Sequence, residues 1–235
     1  MPTPPKQPEP FPGFAKFRDD RDAPFYASRM PAFATPEATA AEIVACFSRV
    51  VFAVMQEASR QPRQMSRADL VRWHRATFRT TFPFHAGRFR DDATAFEIRW
   101  REAGELRKRP LDGSEAERVP AELDAAFTVY NAELAARRPE QRTLREAATA
   151  AAELYAELLR IHPFEDGNLR AAFPALQGAL ISLGATAVDF DDAVSDHDEA
   201  LGWALRPDSK HRSLEPFVDL LVQRIALAAT SRPAP

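Results

Sequence analysis

The chain is poor in glycine, with 8 residues in 235, and has a single cysteine, Cys46. One cysteine excludes an internal disulfide and fits a reducing compartment, while this length can bury a core without covalent staples. Positive charge is not in excess either: 31 Lys and Arg stand against 34 Asp and Glu, a formal net charge of −3. A nucleic-acid partner is therefore disfavoured, as is an anionic lipid surface. No apolar run approaches the roughly 20 residues of a bilayer span, and the charged-then-apolar start of a secretory signal is missing. The expectation is a cytoplasmic protein, or a secreted effector without a cleavable signal, with no membrane partner. Neither His197 nor His211 has a Cys or second His at metal-ligand spacing, and both are expected at the surface.

What is plentiful is proline, 20 residues, and it is unevenly spread. Pro2, Pro4, Pro5, Pro8, Pro10, Pro12, Pro24 and Pro31 fall in residues 1–34, too densely for helix or central strand, so this stretch reads as an extended arm. A single domain is expected over 35–230. From Thr35 the pattern turns helical, with Pro36 at a first helical position and Ile43, Phe47, Val50, Val51 and Val54 on one face as far as Arg60. Ser66 and Asp69 resemble a capping box before Leu70, Trp73 and Phe78.

Ala95 to Trp100 alternates apolar and polar, Gly104 offers a turn and Glu105 to Arg107 can return, which predicts a small hairpin. Helical spacing resumes over 120–137 and over Thr143 to Ile161, whose alanine-rich stripe suits the centre of a bundle. Further helices are expected at 168–183, 191–206 and 213–228. The fold class is all-α, about seven helices with one hairpin.

Between the two central helices lies His162-Pro163-Phe164-Glu165-Asp166-Gly167-Asn168-Leu169-Arg170. A short loop delivering residues to a helix N-terminus offers amides and a dipole end to an anion. His162 can accept a proton near neutral pH, Asp166 is an oxygen ligand suited to Mg2+, and Gly167 permits close approach. Asn168 can cap the helix, and Arg170 can present a planar fork to phosphate oxygens. Base, metal ligand, anion nest and guanidinium together describe phosphoryl or nucleotidyl transfer to a hydroxyl.

This segment resembles the Fic/Doc (Fido) signature H-P-F-x-[D/E]-G-N-G-R-x-x-R, matching it at His162, Pro163, Phe164, Asp166, Gly167, Asn168 and Arg170. Trp73-His74-Arg75 through Phe78, and Ala86-Gly87-Arg88-Phe89-Arg90, look like the family's upstream helix and its Ala-Gly-x-x-Arg turn before the flap. Leu214-Glu215-Pro216-Phe217-Val218 looks like its last helix, so the likeness covers about residues 66–226. The resemblance implies a Fic-type helical bundle with a β-hairpin flap. It implies ATP or another nucleotide-type donor with Mg2+, and a protein target whose Ser, Thr or Tyr hydroxyl receives AMP. His162 would be the general base, Asp166 the Mg2+ ligand, and Gly167, Asn168, Leu169 and Arg170 the phosphate-binding stretch. Phe164 would anchor the loop, and Phe96, Glu97, Ile98 and Arg99 would form the flap that holds the target as an added strand. A separate inhibitory protein and an oligomer both remain compatible with it.

Three departures stand out. Leu169 occupies the place of the family's second glycine, Phe173 replaces the second arginine that in relatives grips the γ-phosphate, and Pro174 lies past the first turn of the following helix. The first two point to a changed donor, such as a diphosphate-linked nucleotide; the third predicts a kinked or late-starting helix. Ser195 to Glu199 has the spacing of the family's inhibitory helix but lacks its following Gly or Asn. Alternatives are a Doc-like phosphotransferase and an inactive Fic scaffold that binds a partner or nucleotide. Retention of both His162 and Asp166 favours an enzyme.

Overall fold

The computed structural model describes residues 36–91, 95–102, 105–190, 194–206 and 212–230; the proline-rich arm, Asp191, Asp192 and His211 lie outside them. The described elements are α1 (Pro36–Arg60), α2 (Arg67–Phe78), β1 (Ala95–Glu102), β2 (Glu105–Asp112), α3 (Val119–Ala136), α4 (Leu144–Ile161), α5 (Asn168–Ser182), α6 (Val194–Ala204) and α7 (Glu215–Thr230). The all-α bundle with one hairpin is the fold that forms. Among the described residues no helix is long and apolar enough to cross a membrane.

Local chemistry starts these helices. Ser66, extended at φ −145, is bonded reciprocally with Asp69 at the head of α2, and Thr143 does the same with Glu146 at the head of α4. The Thr143 main chain and then Arg137 push the Glu146 carboxyl down to about 2.

The alanine stripe places α4 inside the bundle, but α5 is the more enclosed of the pair. Every residue from Ala171 to Leu180 is buried, with α1, α2 and α4 packed around it. This burial explains Pro174. The helix neither starts late nor stops there; it runs from Asn168 to Ser182 with Pro174 inside, because packing on all sides outweighs a lost backbone bond that would end an exposed helix. Phe173 points into the same core, 1% exposed, with ring centroids 6.1 Å from Phe47 and 6.3 Å from Phe190.

The hairpin is antiparallel in the register Ile98 to Arg109 and Trp100 to Arg107. Its second strand continues to Asp112, beyond the stretch that alternation marks. Pro110 is tolerated there because β2 pairs with β1 alone and is otherwise an exposed edge. β1 packs on α6: Ile98 and Trp100 are buried, the Arg206 guanidinium lies 4.9 Å from the Trp100 ring and 4.7 Å from the Trp203 ring, and Arg101 pairs with Glu199 at 3.0 Å.

The structure corrects the placing of His197. It is 0% exposed, with Nε2 3.2 Å from the Tyr155 hydroxyl and Nδ1 3.2 Å from an Asp198 carboxylate oxygen. Phe190 and Phe217 flank it. Its acidic sequence neighbours suggest solvent, but only one face of α6 is wet.

Candidate active site

α4 ends in His162, the non-glycine residue with positive φ among those described (φ 52, ψ 60). A left-handed turn at such a residue costs about 1–2 kcal/mol and persists only where its surroundings enforce it. Arg90 does the enforcing. Its Nε donates to the His162 carbonyl at 2.7 Å, its main-chain N–H donates to the Pro163 carbonyl at 3.0 Å, and Nη2 donates to the carbonyls of Ser114 and Ile161. The Ser114 N–H adds a bond to Ile161 O at 3.1 Å. Gly113 sits tight against this knot, since a Cβ there would meet Arg90 Nη2 at 2.9 Å and His162 Cβ at 3.0 Å. One buried guanidinium thus ties the root of the hairpin to the turn that carries the histidine.

Burial, and then the Arg90 charge, lower the His162 pKa to about 4, with the Leu159 main chain pulling the other way. Both leading causes disfavour a cation. At neutral pH the ring is therefore a proton acceptor.

After His162 the loop folds down onto α2. Phe164 is fully buried, stacked on His74 at 3.9 Å and 14° with Phe89 at 5.6 Å. Asn168 closes the loop: its Nδ2 donates to Phe164 O at 2.9 Å and its Oδ1 accepts from Phe164 N at 2.8 Å. The residue expected to cap α5 with its side chain is instead a loop staple, and Gly167 is the N-cap, with no side-chain bond. The first-turn amides are thereby left clear of any capping side chain, at the positive end of the helix dipole. Gly167 is required twice over, by φ +74 and by the Phe78 ring, which a Cβ would meet at 2.3 Å. The close approach that glycine permits here is to Phe78.

His74 links this loop to the approach to the hairpin. The Gly87 N–H donates to Nδ1 at 2.8 Å, and Nε2 lies 3.0 Å from the Asp166 carbonyl. Burial lowers its pKa to about 4. Beside it, His85 Nδ1 pairs with Glu165 at 2.7 Å.

The segment 162–170, the loop after α4 with the first turn of α5, thus carries His162, Asp166, Gly167, Asn168, Leu169 and Arg170, while Phe173 turns away from them into the core. Ile98 is buried, so of the flap residues it offers a neighbour only main chain; Phe96, Glu97 and Arg99 lie on the same strand. Among the described residues no three His, Cys, Asp or Glu form a cage for a metal. The half-buried Asp166 still fits Mg2+, which is held by one or two carboxylates, with phosphate oxygens and water completing its shell. A groove of about 430 Å³ between α3 and α4 is lined by Val129, Glu133, Ala150 and Glu153 among others, and contains none of the loop residues.

The fold and loop agree with comparisons against known proteins. The family model described as Fic/DOC family matches residues 64–180. The chain belongs to the Fic/DOC family. It is similar in structure to a Fic domain containing signaling protein from Bacteroides thetaiotaomicron, with TM-score 0.66 and 19% identity over 89% of this chain and 76% of that one. It is also similar to the BepC effector of Bartonella tribocorum with bound AMPPNP, with TM-score 0.58 and 21% identity over 81% of this chain and 87% of that one. A Fic domain from Bartonella quintana with bound ADP gives 0.59 and 21%, covering 82% and 87%. These likenesses establish the fold. No curated protein matches by sequence.

Sequence reasoning marks Arg90 only as part of a turn motif and His74 only as part of the upstream helix. Their signal is weak because both act on main-chain carbonyls, which carry no side-chain pattern.

Proposed function

We propose that this Fic-family protein transfers the nucleotidyl group of a nucleotide donor, AMP from ATP in the simplest case, onto a Ser, Thr or Tyr hydroxyl of a target protein. The observation that carries the reading is His162, its pKa lowered to about 4, held in a left-handed turn one short loop ahead of a helix N-terminus that no side chain caps. In the step, an imidazole nitrogen of His162 takes the hydroxyl proton as the oxygen bonds to the α-phosphorus. The bond from that phosphorus to the bridging oxygen breaks, and pyrophosphate leaves. The α5 amides and Arg170 receive the phosphate oxygens, and Asp166 would hold Mg2+. When bound, that ion neutralises charge that develops on the phosphates. The exposed main-chain edge of the hairpin would hold the target segment as an added strand.

Phe173 favours a second donor class. Its ring lies in the core with Phe47 and Phe190, so that position offers no cation to a third phosphate, and a diphosphate-linked nucleotide suits the site as well as a triphosphate.

The test incubates the protein and His162→Ala with Mg2+, a cell lysate, and donors labelled at the α- or the γ-phosphate. Label from the α-phosphate that depends on His162 supports the reading. Label from the γ-phosphate would replace it with phosphotransfer, and no His162-dependent label from any nucleotide donor would sink both.

A further inference from the structure

Two backbone groups converge on one buried side chain. The Gly87 N–H, on the approach to the hairpin, donates to His74 Nδ1 at 2.8 Å, and the Asp166 carbonyl lies 3.0 Å from Nε2. A nitrogen that accepts cannot also carry the proton, so the geometry places the single ring hydrogen on Nε2, where it is donated to Asp166. The ring is held in that orientation by the stack on Phe164 at 3.9 Å and by Phe78 at 4.7 Å. His74 Nε2 also lies 3.3 Å from where a Gly167 Cβ would project. The imidazole therefore backs the whole Asp166-Gly167 turn at 4% exposure.

We infer that His74 is a positioning residue of this site: by fixing the Asp166 carbonyl it sets the direction of the Asp166 carboxylate and the pose of the Gly167 turn for a metal-bound nucleotide. The inference rests on the reading of Asp166 as the metal ligand. It goes beyond packing, because a phenylalanine would fill the same space and keep the stack while supplying neither hydrogen bond. Groups that orient a ligand from behind carry 10- to 100-fold in metal affinity elsewhere. A residue bonded at once to the flap's approach and to the phosphate loop also couples the two halves of the site.

The test follows binding of Mn2+ with ADP, and with AMPPNP, by electron paramagnetic resonance, alongside circular dichroism and transfer activity. His74→Phe is expected to stay folded and to bind Mn2+-nucleotide about 10-fold more weakly. His74→Gln, whose amide nitrogen reaches the Nε2 position, is expected to restore binding to within about threefold. His74→Asn can serve Gly87 but falls short of Asp166, so it should behave like His74→Phe; if His74→Phe fails to fold, the Asn and Gln pair decides. Binding lost in Asp166→Ala but equal to wild type in His74→Phe or His74→Asn would overturn the inference alone. Equal binding by wild type and Asp166→Ala would overturn the reading of Asp166, and this inference with it.

Discussion

The Arg90 Nε donates to the main-chain carbonyl of His162 at 2.7 Å, from a side chain only 5% exposed. The residue that turns left-handed at the end of α4 is thus fixed through its backbone. Arg90→Ala would leave the carbonyls of His162 and Ser114 without the donor that Arg90 gives them in a buried place, and Ile161 O with the Ser114 N–H but not the guanidinium. A loss of about 3 kcal/mol or more is expected, read as a shift in the urea midpoint. Arg90→Lys should rescue only part of it, because an ammonium cannot span the carbonyls that the planar fork reaches.

The pH profile of transfer should report the depressed pKa of His162. A base must be neutral to act, and burial with the Arg90 charge lowers its pKa to about 4. The acid limb of kcat/KM is therefore expected near pH 4, well below the ordinary histidine value near 6.5. A limb at 6.5 or above would contradict the environment described here.

Stability should follow His74. Its folded pKa is about 4 against an unfolded value of 6.5, so between those values the unfolded chain binds more protons and stability rises with pH. The contribution, about 3 kcal/mol, is fully present above pH 6.5 and lost as pH falls to 4. Urea unfolding at pH 7.5 and 4.5 measures the slope, and His74→Phe is expected to remove about half of it, His162 with the same depression keeping the rest.

Gly167→Ala adds one methyl where φ is +74 and the Phe78 ring would stand 2.3 Å away. Left-handed strain and overpacking together should cost about 3 kcal/mol. Activity should fall further than stability, because the ring must push the loop aside. Calorimetry beside a transfer assay separates the two losses.

Phe173→Arg would restore a cation in sequence but place it among Phe47 and Phe190. A guanidinium without a partner in that core should cost about 4 kcal/mol or more. Leu169→Gly is the cleaner probe of donor choice, since Leu169 is only partly buried against the edge of the core, in the first turn of α5. A change in preference between ATP and a diphosphate-linked donor would show that the side chain shapes the phosphate path.

The helices were legible because their apolar faces repeat at helical spacing and because Ser66, Pro36 and Pro120 mark beginnings. The loop was legible because His162, Asp166 and Gly167 have chemistry at fixed spacing. What escaped was the enclosure. Pro174 reads as a breaker until α1, α2 and α4 are packed around α5, and His197 reads as a surface residue until the inward face of α6 is known. Asn168 has the side chain of a helix cap, and only the path of the backbone directs it to Phe164. Arg90 and His74 act on carbonyls, which every residue has, so nothing in a sequence distinguishes the ones they hold.

The seat of Arg206 between Trp100 and Trp203 has a consequence for encounter. A hairpin left loose in solution would have to be frozen each time a second chain aligned along it, and that ordering would weaken every association. Here the freezing is completed during folding, by α6. The exposed edge of β2 is thus ordered in advance, and under the proposed function a target strand would lose only its own freedom on reaching it.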